Sequence, residues 1–288
     1  MSAVARAPGE GETITGRAER KLWILDDRPE LCVTEAHYGG GQDGAEPHVH
    51  REHVDAFWII EGELLFGLGQ DDEVHAEAGS FVLAPPDLVH SFRNGSREPV
   101  RYLNLHAPDS GFAEMLRARR DDREPTVPWD SFDPPADGGR PSSDAVLLRP
   151  GEGETLSVGG TRVTLKATGE TTGGRLYLGE SAIEPGFPGP PPHVHRTLHD
   201  AFYVLDGTLT LRIGEETVEA SSGSFACFPP GVVHTFSNPG SEPVRLLNFN
   251  TPAGWEHYMR DLAEAAGSGR LDPASIGRIA SRYDFQIA

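Results

Sequence analysis

Cysteine is scarce in this chain of 288 residues: Cys32 and Cys227 are its two cysteines, in different halves and without CxxC spacing. This count excludes a disulfide-based scaffold and favours a reducing compartment, so we expect a cytoplasmic protein. The chain also lacks an apolar run long enough to span a bilayer. Residues 1–20 lack the basic start and apolar stretch of a secretory signal.

Basic residues are also few, with 25 Lys and Arg against 44 Asp and Glu, which gives a formal net charge of −19. A surface this acidic repels the phosphates of nucleic acids and the headgroups of anionic lipids. We therefore predict that neither nucleic acid nor a membrane is a partner. A small-molecule substrate is the expected ligand.

The two halves of the chain share short sequence matches in the same order. Pro8-Gly-Glu-Gly-Glu-Thr returns at Pro150, and His48-Val-His-Arg returns at His193. Further matches pair Asp55-Ala-Phe with Asp200-Ala-Phe, Gly79-Ser-Phe with Gly223-Ser-Phe, and Pro85-Pro with Pro229-Pro. Composition alone does not produce matches in one order, so the chain contains two copies of one unit.

Each copy shows many short stretches of alternating apolar and polar residues, such as 57–61 and 208–213, bounded by Gly, Pro and Asn. A small all-β unit has to close its edges or pack two sheets, which predicts a barrel or jelly roll. Helical patterns follow each barrel at 112–121 and 255–266, and a further helix begins at Asp272-Pro273. The predicted fold is all-β, with two tandem barrels and short C-terminal helices.

The predicted domains follow from these patterns. Residues 1–132 form an N-terminal barrel with its helix, and 133–144, rich in Pro and Gly, form a linker. Residues 145–252 form the second barrel, and 253–288 form C-terminal helices.

Each copy brings together residues suited to a metal ion. Residues two apart on a strand face the same way, so His48 and His50 can reach one ion together. Asp55 shares a face with the apolar Phe57, where an ionised carboxylate is costly unless a cation compensates it. The predicted ligands are His48, His50, Asp55 and His90 in the first copy and His193, His195, Asp200 and His234 in the second.

These ligand types suit Fe, Mn, Ni, Cu or Zn as divalent ions rather than calcium, and we predict one ion per barrel. Four protein ligands on an octahedral ion leave open positions, which indicates catalysis or ligand capture rather than a structural metal. A lone His-x-His pair is often a surface feature. Its repetition with an acid and a third histidine favours metal binding.

The motifs resemble those of the cupin superfamily, specifically the quercetin dioxygenase-like bicupins. The spacing of the first cupin motif is matched by His48, His50, Asp55 and Gly62, and by His193, His195, Asp200 and Gly207. The second motif is matched by Gly79, Pro85, His90 and Asn94, and by Gly223, Pro229, Gly231, His234 and Asn238. The resemblance implies two cupin jelly-roll barrels (double-stranded β-helices), each with a metal site.

Two departures from the family pattern bear on the site. The usual glutamate is Asp55 or Asp200, one methylene shorter, so it either ligates the ion, orients a bound water or acts as a base. Asp87 replaces the middle glycine of the second motif, where we expect only an altered turn. The nearby His53 and His199 occupy different registers in the two copies, and we interpret them as surface residues.

The resemblance implies several reactions, of which we favour a dioxygenase acting on a small enolic or aromatic metabolite. Asp55 or Asp200 would take the substrate's proton, with dioxygen as the co-substrate. His106, which the second copy replaces with Asn250, would add a group that titrates near neutral pH to the first pocket. A metal-dependent isomerase or lyase and a non-catalytic binding protein are the alternatives. The oligomeric state stays open, a homodimer included.

Overall fold

The computed structural model describes residues 2–69 and 72–288. The elements up to residue 148 are β1 (Val4–Arg6), β2 (Glu12–Arg17), β3 (Arg20–Arg28), β4 (Leu31–Tyr38), β5 (Asp43–His48), β6 (Val54–Glu61), β7 (Glu63–Leu68), β8 (Asp72–Glu77), β9 (Phe81–Ala84), β10 (His90–Arg93), β11 (Val100–Ala107), α1 (Phe112–Arg120) and β12 (Val146–Leu148).

The later elements are β13 (Glu154–Val158), β14 (Thr161–Ala167), α2 (Gly169–Thr172), β15 (Tyr177–Ile183), β16 (His193–Val194), β17 (His199–Asp206), β18 (Thr208–Ile213), β19 (Glu216–Ser221), β20 (Phe225–Phe228), β21 (His234–Ser237), β22 (Val244–Thr251), α3 (Trp255–Gly267), α4 (Pro273–Ala280) and β23 (Gln286–Ile287).

The chain divides into two compact units, a first unit of residues 10–152 and a second unit of residues 1–9 and 153–288. The first unit consists of two antiparallel sheets, in the strand orders β12-β9-β6-β11-β4-β3-β2 and β5-β10-β7-β8. The second unit repeats this arrangement as β1-β20-β17-β22-β15-β14-β13 and β19-β18-β21-β16-β23. The predicted all-β fold of two tandem units with short helices is confirmed.

The core of each unit lies between its two sheets. In the first unit Phe57 of β6 and Phe66 of β7 are 1% exposed and pack edge to face, with ring centroids 5.0 Å apart. In the second unit Phe202 of β17 packs against Leu209 and Leu211 of β18 in one buried cluster. The alternation visible in the sequence therefore points one set of side chains of each strand into the core.

The first strand of each sequence repeat pairs with a sheet of the unit that contains most of the other repeat: β1 pairs with β20, and β12 pairs with β9. Val4 pairs with Cys227 in the second unit, and Val146 pairs with Leu83 in the first. An edge strand leaves backbone N–H and C=O groups unpaired, and these additions satisfy one such edge in each unit. The predicted linker, 133–144, lies in the first unit, with a bridge between Gly139 and Leu88.

Local signals in the sequence explain the start of α4 and one turn. Asp272 caps α4, because its side chain accepts from Ser275 N at 2.7 Å. Asp87 adopts a φ of 66°, close to the 84° of Gly231 in the second copy. Its N–H donates to the His50 carbonyl at 2.6 Å, as that of Gly231 does to the His195 carbonyl at 2.8 Å, so the aspartate preserves the turn. Within the described ranges, no helix has the length and apolar character that crossing a bilayer requires.

Candidate metal centres

The four predicted ligands of the first unit converge in the structure. His48 ends β5, His50 lies two residues later, Asp55 is the second residue of β6, and His90 begins β10. Each of these four residues offers one side-chain N or O atom, and the four atoms all lie within 4.8 Å of one another. His48 Nε2 lies 3.2 Å from His50 Nε2, and Asp55 Oδ2 lies 3.3 Å from His90 Nε2 and 3.7 Å from His50 Nε2.

The second unit repeats this cluster. His193 begins β16, Asp200 is the second residue of β17, and His234 begins β21. Together with His195, they form another group with donor atoms within 4.8 Å of one another. Asp200 Oδ2 lies 3.2 Å from His234 Nε2 and 3.9 Å from His195 Nε2. Both sets of sequence-predicted ligands are thus brought together.

Backbone carbonyls orient the six imidazoles. Four Nδ1 atoms lie 2.7 to 3.0 Å from the carbonyl oxygen two residues earlier, namely His48 to Glu46, His90 to Leu88, His193 to Pro191 and His234 to Val232. His50 Nδ1 instead contacts the carbonyl of Asp130, and His195 Nδ1 that of Asp284. A carbonyl only accepts, so each Nδ1 carries the proton and each Nε2 presents a lone pair to the cluster.

Burial keeps several of these imidazoles uncharged. It is the largest cause that lowers the pKa of His48 to about 4, followed by repulsion from His90 and His50. Burial and the repulsion of the neighbouring histidines lower the pKa of His193 to about 3. At neutral pH these two histidines are therefore uncharged, which is the form that binds a cation.

The two aspartates are ionised. Burial alone would raise the pKa of Asp55, but its interactions with His106, His50 and His90 hold that pKa well below its usual range. The pKa of Asp200 is also lowered, because its interactions with His234 outweigh burial, which alone would raise this pKa. Each cluster therefore combines imidazole lone pairs with one negative charge.

The donor geometry fits a divalent transition ion. An ion bound at about 2.0 to 2.2 Å from N and O donors holds neighbouring donors about 3 to 4 Å apart. The distances in the two clusters run from 3.2 to 3.9 Å. Among the described residues, His195 Nε2 is buried without a hydrogen-bond partner. A buried lone pair of this kind is costly unless a ligand satisfies it, and a cation would do so.

The interpretation of His53 and His199 as surface residues is wrong, since both are buried. His53 Nδ1 lies 2.8 Å from Asp130 Oδ2, and His53 Nε2 lies 3.0 Å from His106 Nδ1. His53 also groups with His50 and His106 as a second set of donors. Its burial was not predictable because its carboxylate partner comes from 77 residues along the chain.

His106 belongs to a chain of polar groups that runs towards the first cluster. Its Nε2 donates to Asn104 Oδ1 at 2.9 Å, and Asn104 Nδ2 donates to Asp55 Oδ1. Its Nε2 also lies 3.7 Å from Asp55 Oδ1. Burial holds the pKa of His106 well below its usual value, in contrast to the expected titration near neutral pH. At neutral pH it is an uncharged hydrogen-bonding group.

Sequence reasoning missed Asp130 and Asp284, which support the two clusters from outside the repeat. The Asp130 carboxylate accepts from the backbone N–H groups of Arg51 and Glu52, and that of Asp284 accepts from Arg196, Thr197 and Leu198. The available signal was an aromatic-Asp pair after the helices of each copy, Trp129-Asp130 and Tyr283-Asp284.

Each cluster opens into a cavity of its own unit. The first cavity has a volume of about 430 Å³, and Arg20, Arg119, Phe92, Tyr102, Phe112 and Trp129 are among its lining residues. The second, about 340 Å³, is lined mainly by apolar and aromatic groups, which include Phe187, Phe202, Phe236, Trp255, Met259 and Phe285. Phe57, Phe81 and Phe225 lie in the core and do not line these cavities.

Comparisons with known proteins agree with this architecture. A family model described as "Cupin domain" matches residues 34–106 and 179–250. Quercetin 2,3-dioxygenase of Bacillus subtilis is 34% identical over 113 residues, which cover 38% of this chain. The match spans 32% of that relative's length, about a third.

Solved structures are similar across most of the chain at low identity. Oxalate decarboxylase from Bacillus subtilis has a TM-score of 0.60 at 14% identity, covering 99% of this chain and 87% of that one. Procruciferin, an 11S globulin from Brassica napus, has a TM-score of 0.61 at 12% identity, covering 88% and 85%. At these identities the likeness shows the fold.

Proposed function

This chain belongs to the cupin domain family, and we propose that it is a metal-dependent oxidoreductase, a dioxygenase that acts on a small enolic or aromatic metabolite. The observation that carries the proposal is the convergence of three imidazoles and one carboxylate at a cavity in each unit. Cavities of about 300 to 1,000 Å³ are typical of small-molecule sites. The similarity to a quercetin 2,3-dioxygenase supports the choice of reaction.

A divalent transition ion held by each cluster would supply Lewis-acid and one-electron redox chemistry. His48, His50, Asp55 and His90 would hold it in the first unit, and His193, His195, Asp200 and His234 in the second. Fe, Mn, Ni, Cu and Zn all suit this donor set.

In each aspartate, asparagine side chains donate to one carboxylate oxygen, and the other oxygen faces the cluster. Asn104 donates to Asp55 Oδ1, which leaves Oδ2 directed at His90 and His50. Asn248 and Asn250 donate to Asp200 Oδ1 at 2.5 and 2.7 Å. The free Oδ2 is the atom that would ligate the ion or accept the hydroxyl proton of an enol or phenol.

The cavity walls support the proposed substrate class. The aromatic side chains of the second cavity would pack against a planar apolar ligand and exclude water from the cluster. The first cavity combines Phe112 and Trp129 with Arg20 and Arg119, which suits a ring that carries acidic hydroxyls. We propose the first unit as the more reactive one, because His106 lies beside Asp55 there.

The test combines elemental analysis of the purified protein with oxygen consumption over a panel of flavonols, catechols and diketones. We expect two ions per chain, one in each of the His50→Ala and His195→Ala variants, and none in the double variant. Full metal content in the double variant would refute the proposed sites. Equal turnover with and without oxygen would indicate an isomerase or lyase, and ligand binding without conversion would indicate a binding protein.

A further inference from the structure

The central histidine of each cluster differs from the other two in how it is supported. His48, His90, His193 and His234 use carbonyls of their own strand regions. His50 depends on a carbonyl 80 residues away, and His195 on one 89 residues away. In both units the distant residue is an aspartate, although the two lie outside the repeated motifs.

Asp130 contacts the loop after His50 through both its backbone and its side chain. Its carbonyl accepts from His50 Nδ1 at 2.5 Å. Its carboxylate accepts from Arg51 N at 3.1 Å and Glu52 N at 2.8 Å, and from His53 Nδ1 at 2.8 Å. The Asp130 carboxylate thus holds the loop after His50, and the carbonyl of the same residue holds the His50 ring.

Asp284 makes the same two kinds of contact in the second unit. Its carbonyl accepts from His195 Nδ1. Its carboxylate accepts from the N–H groups of Arg196, Thr197 and Leu198 at 2.7, 2.8 and 3.0 Å. The same arrangement thus occurs at both sites, although the sequence around the two aspartates is not part of the repeated motifs.

Short backbone pairings hold both aspartates in place. Val49 and Phe132 exchange N–H···O bonds of 3.0 Å beside Asp130. Beside Asp284, His193 pairs with Ile287 and Val194 with Gln286. We define residues 129–132 and 284–287 as the closing segments. Their aromatic residues also contact the clusters, with Trp129 5.0 Å from His50 and Phe285 4.2 Å from His193 between ring centroids.

We propose that Asp130 and Asp284 are positioning residues for metal binding. Each carboxylate holds its closing segment against the loop after the central histidine, and the carbonyl of the same residue then keeps the proton on Nδ1. Nε2 is thereby left as an oriented lone pair. The proposal rests on the proposed metal sites but assigns to them two residues outside the cupin motifs.

The test measures each site separately. In a His50→Ala background only the second cluster can bind, and Co²⁺ titration followed by visible absorption gives its affinity. We expect Asp284→Ala to raise the Kd about 10- to 100-fold, and Asp284→Asn, which keeps an acceptor oxygen, to raise it less. Asp130→Ala in a His195→Ala background should do the same to the first cluster.

The control for Asp284 is Glu264→Ala, which removes a carboxylate with a 79% exposed side chain from α3 of the same unit. It should leave the Kd unchanged. Asp284→Ala in the His195→Ala background should also leave the affinity of the first cluster unchanged. A fall in affinity there, or an equal effect of Glu264→Ala, would show general destabilisation and overturn the proposal.

A second readout needs no metal. The ¹⁵N chemical shifts of the His195 ring in the metal-free protein report which nitrogen carries the proton. We expect Nδ1 in the parent, and a mixture of Nδ1 and Nε2 forms in Asp284→Ala and, to a smaller extent, in Asp284→Asn. An unchanged Nδ1 form in both variants would overturn the positioning role. Failure of the parent to bind Co²⁺ would instead refute the proposed metal site.

Discussion

Replacing Asp55 by asparagine separates the two roles left open for this carboxylate, ligand of the ion or base beside it. The change keeps the size of the side chain and removes one negative charge from the cluster. To isolate the first site, we would make it in a His195→Ala background. Asp55 Oδ2 lies 3.3 and 3.7 Å from two histidine Nε2 atoms, the separation expected of neighbouring ligands.

The size of the effect follows from Coulomb's law. Two unit charges 4 Å apart at an effective dielectric constant of 20 interact by about 4 kcal/mol, which is about 10³-fold in Kd. A carboxylate bound to a divalent ion is closer than this, while the amide oxygen of asparagine retains part of the interaction. We therefore expect Asp55→Asn to raise the Kd for Co²⁺ by about 10²- to 10³-fold. A carboxylate about 6 Å away across water would contribute about tenfold at most.

The assay is a competitive Co²⁺ titration of Asp55→Asn beside Asp55→Glu, which keeps the charge, and Asp137→Asn, which removes an exposed carboxyl of the same unit. Asp55→Glu should retain tighter binding than Asp55→Asn, and Asp137→Asn should match the parent. Circular dichroism of the metal-free proteins checks that they fold. A Kd for Asp55→Asn within threefold of the parent would refute direct ligation and leave only the role of a base.

Three further predictions concern the dependence of stability on pH, the wall of the second cavity and the role of His106. Because the pKa of folded His48 is about 4, below its unfolded value of 6.5, the unfolded metal-free chain binds more protons between these pH values. The free energy of unfolding of the metal-free protein should therefore fall between pH 6.5 and pH 5, and His48 should contribute up to about 2 kcal/mol of this fall. Midpoints of urea unfolding that do not move between these pH values would contradict this. A Cβ on Gly189 (φ 84°) would lie 1.7 Å from the Phe236 carbonyl oxygen, whereas one on Gly186 (φ 71°) meets nothing within 4 Å. Gly189→Ala should then lower stability to urea by about 4 kcal/mol and Gly186→Ala by about 1 to 2, and equal losses would show that the wall yields. His106→Asn, which installs the residue of the second unit, should lower turnover about 10²-fold with two ions per chain retained; unchanged turnover would remove His106 from the reaction.

The repeat made much of this protein predictable from its sequence. Strand alternation and the spacing of the paired motifs are local properties, and they led to the all-β fold, the helices after each set of strands and the eight clustered candidate ligands. Asp272 at the start of α4 was recognisable because a cap acts within one turn of helix.

What the sequence did not reveal depends on contacts between distant segments. His53 has no counterpart in the second copy, which carries Leu198 there, so the comparison of repeats favoured the surface interpretation. Its burial follows from Asp130, which no periodic pattern connects to it. The exchange of β1 and β12 between the copies was equally hidden, since a strand of three residues carries almost no pattern.

The difference between the two units follows from these same long-range contacts. His106 lies opposite Asp55 in the pairing of β11 with β6, and Asn250 lies opposite Asp200 in the pairing of β22 with β17. An imidazole can both donate and accept a proton, and His106 continues through His53 to Asp130. An amide cannot exchange a proton in this way. Asn250 instead adds a hydrogen bond to an oxygen of Asp200 that Asn248 already holds.

A single replacement should therefore not make the second unit resemble the first. Asn250→His would place an imidazole opposite Asp200, but Leu198 offers its ring no hydrogen-bond partner where His53 contacts His106. The substitution would also remove the hydrogen bond that the side-chain amide of Asn250 donates to Asp200. We expect Asn250→His alone to weaken Co²⁺ binding at the second cluster without raising turnover, and Asn250→His combined with Leu198→His to recover part of that binding. Undiminished Co²⁺ binding or raised turnover in Asn250→His alone, measured in the His50→Ala background, would show that the hydrogen-bonded groups beyond His106 are dispensable.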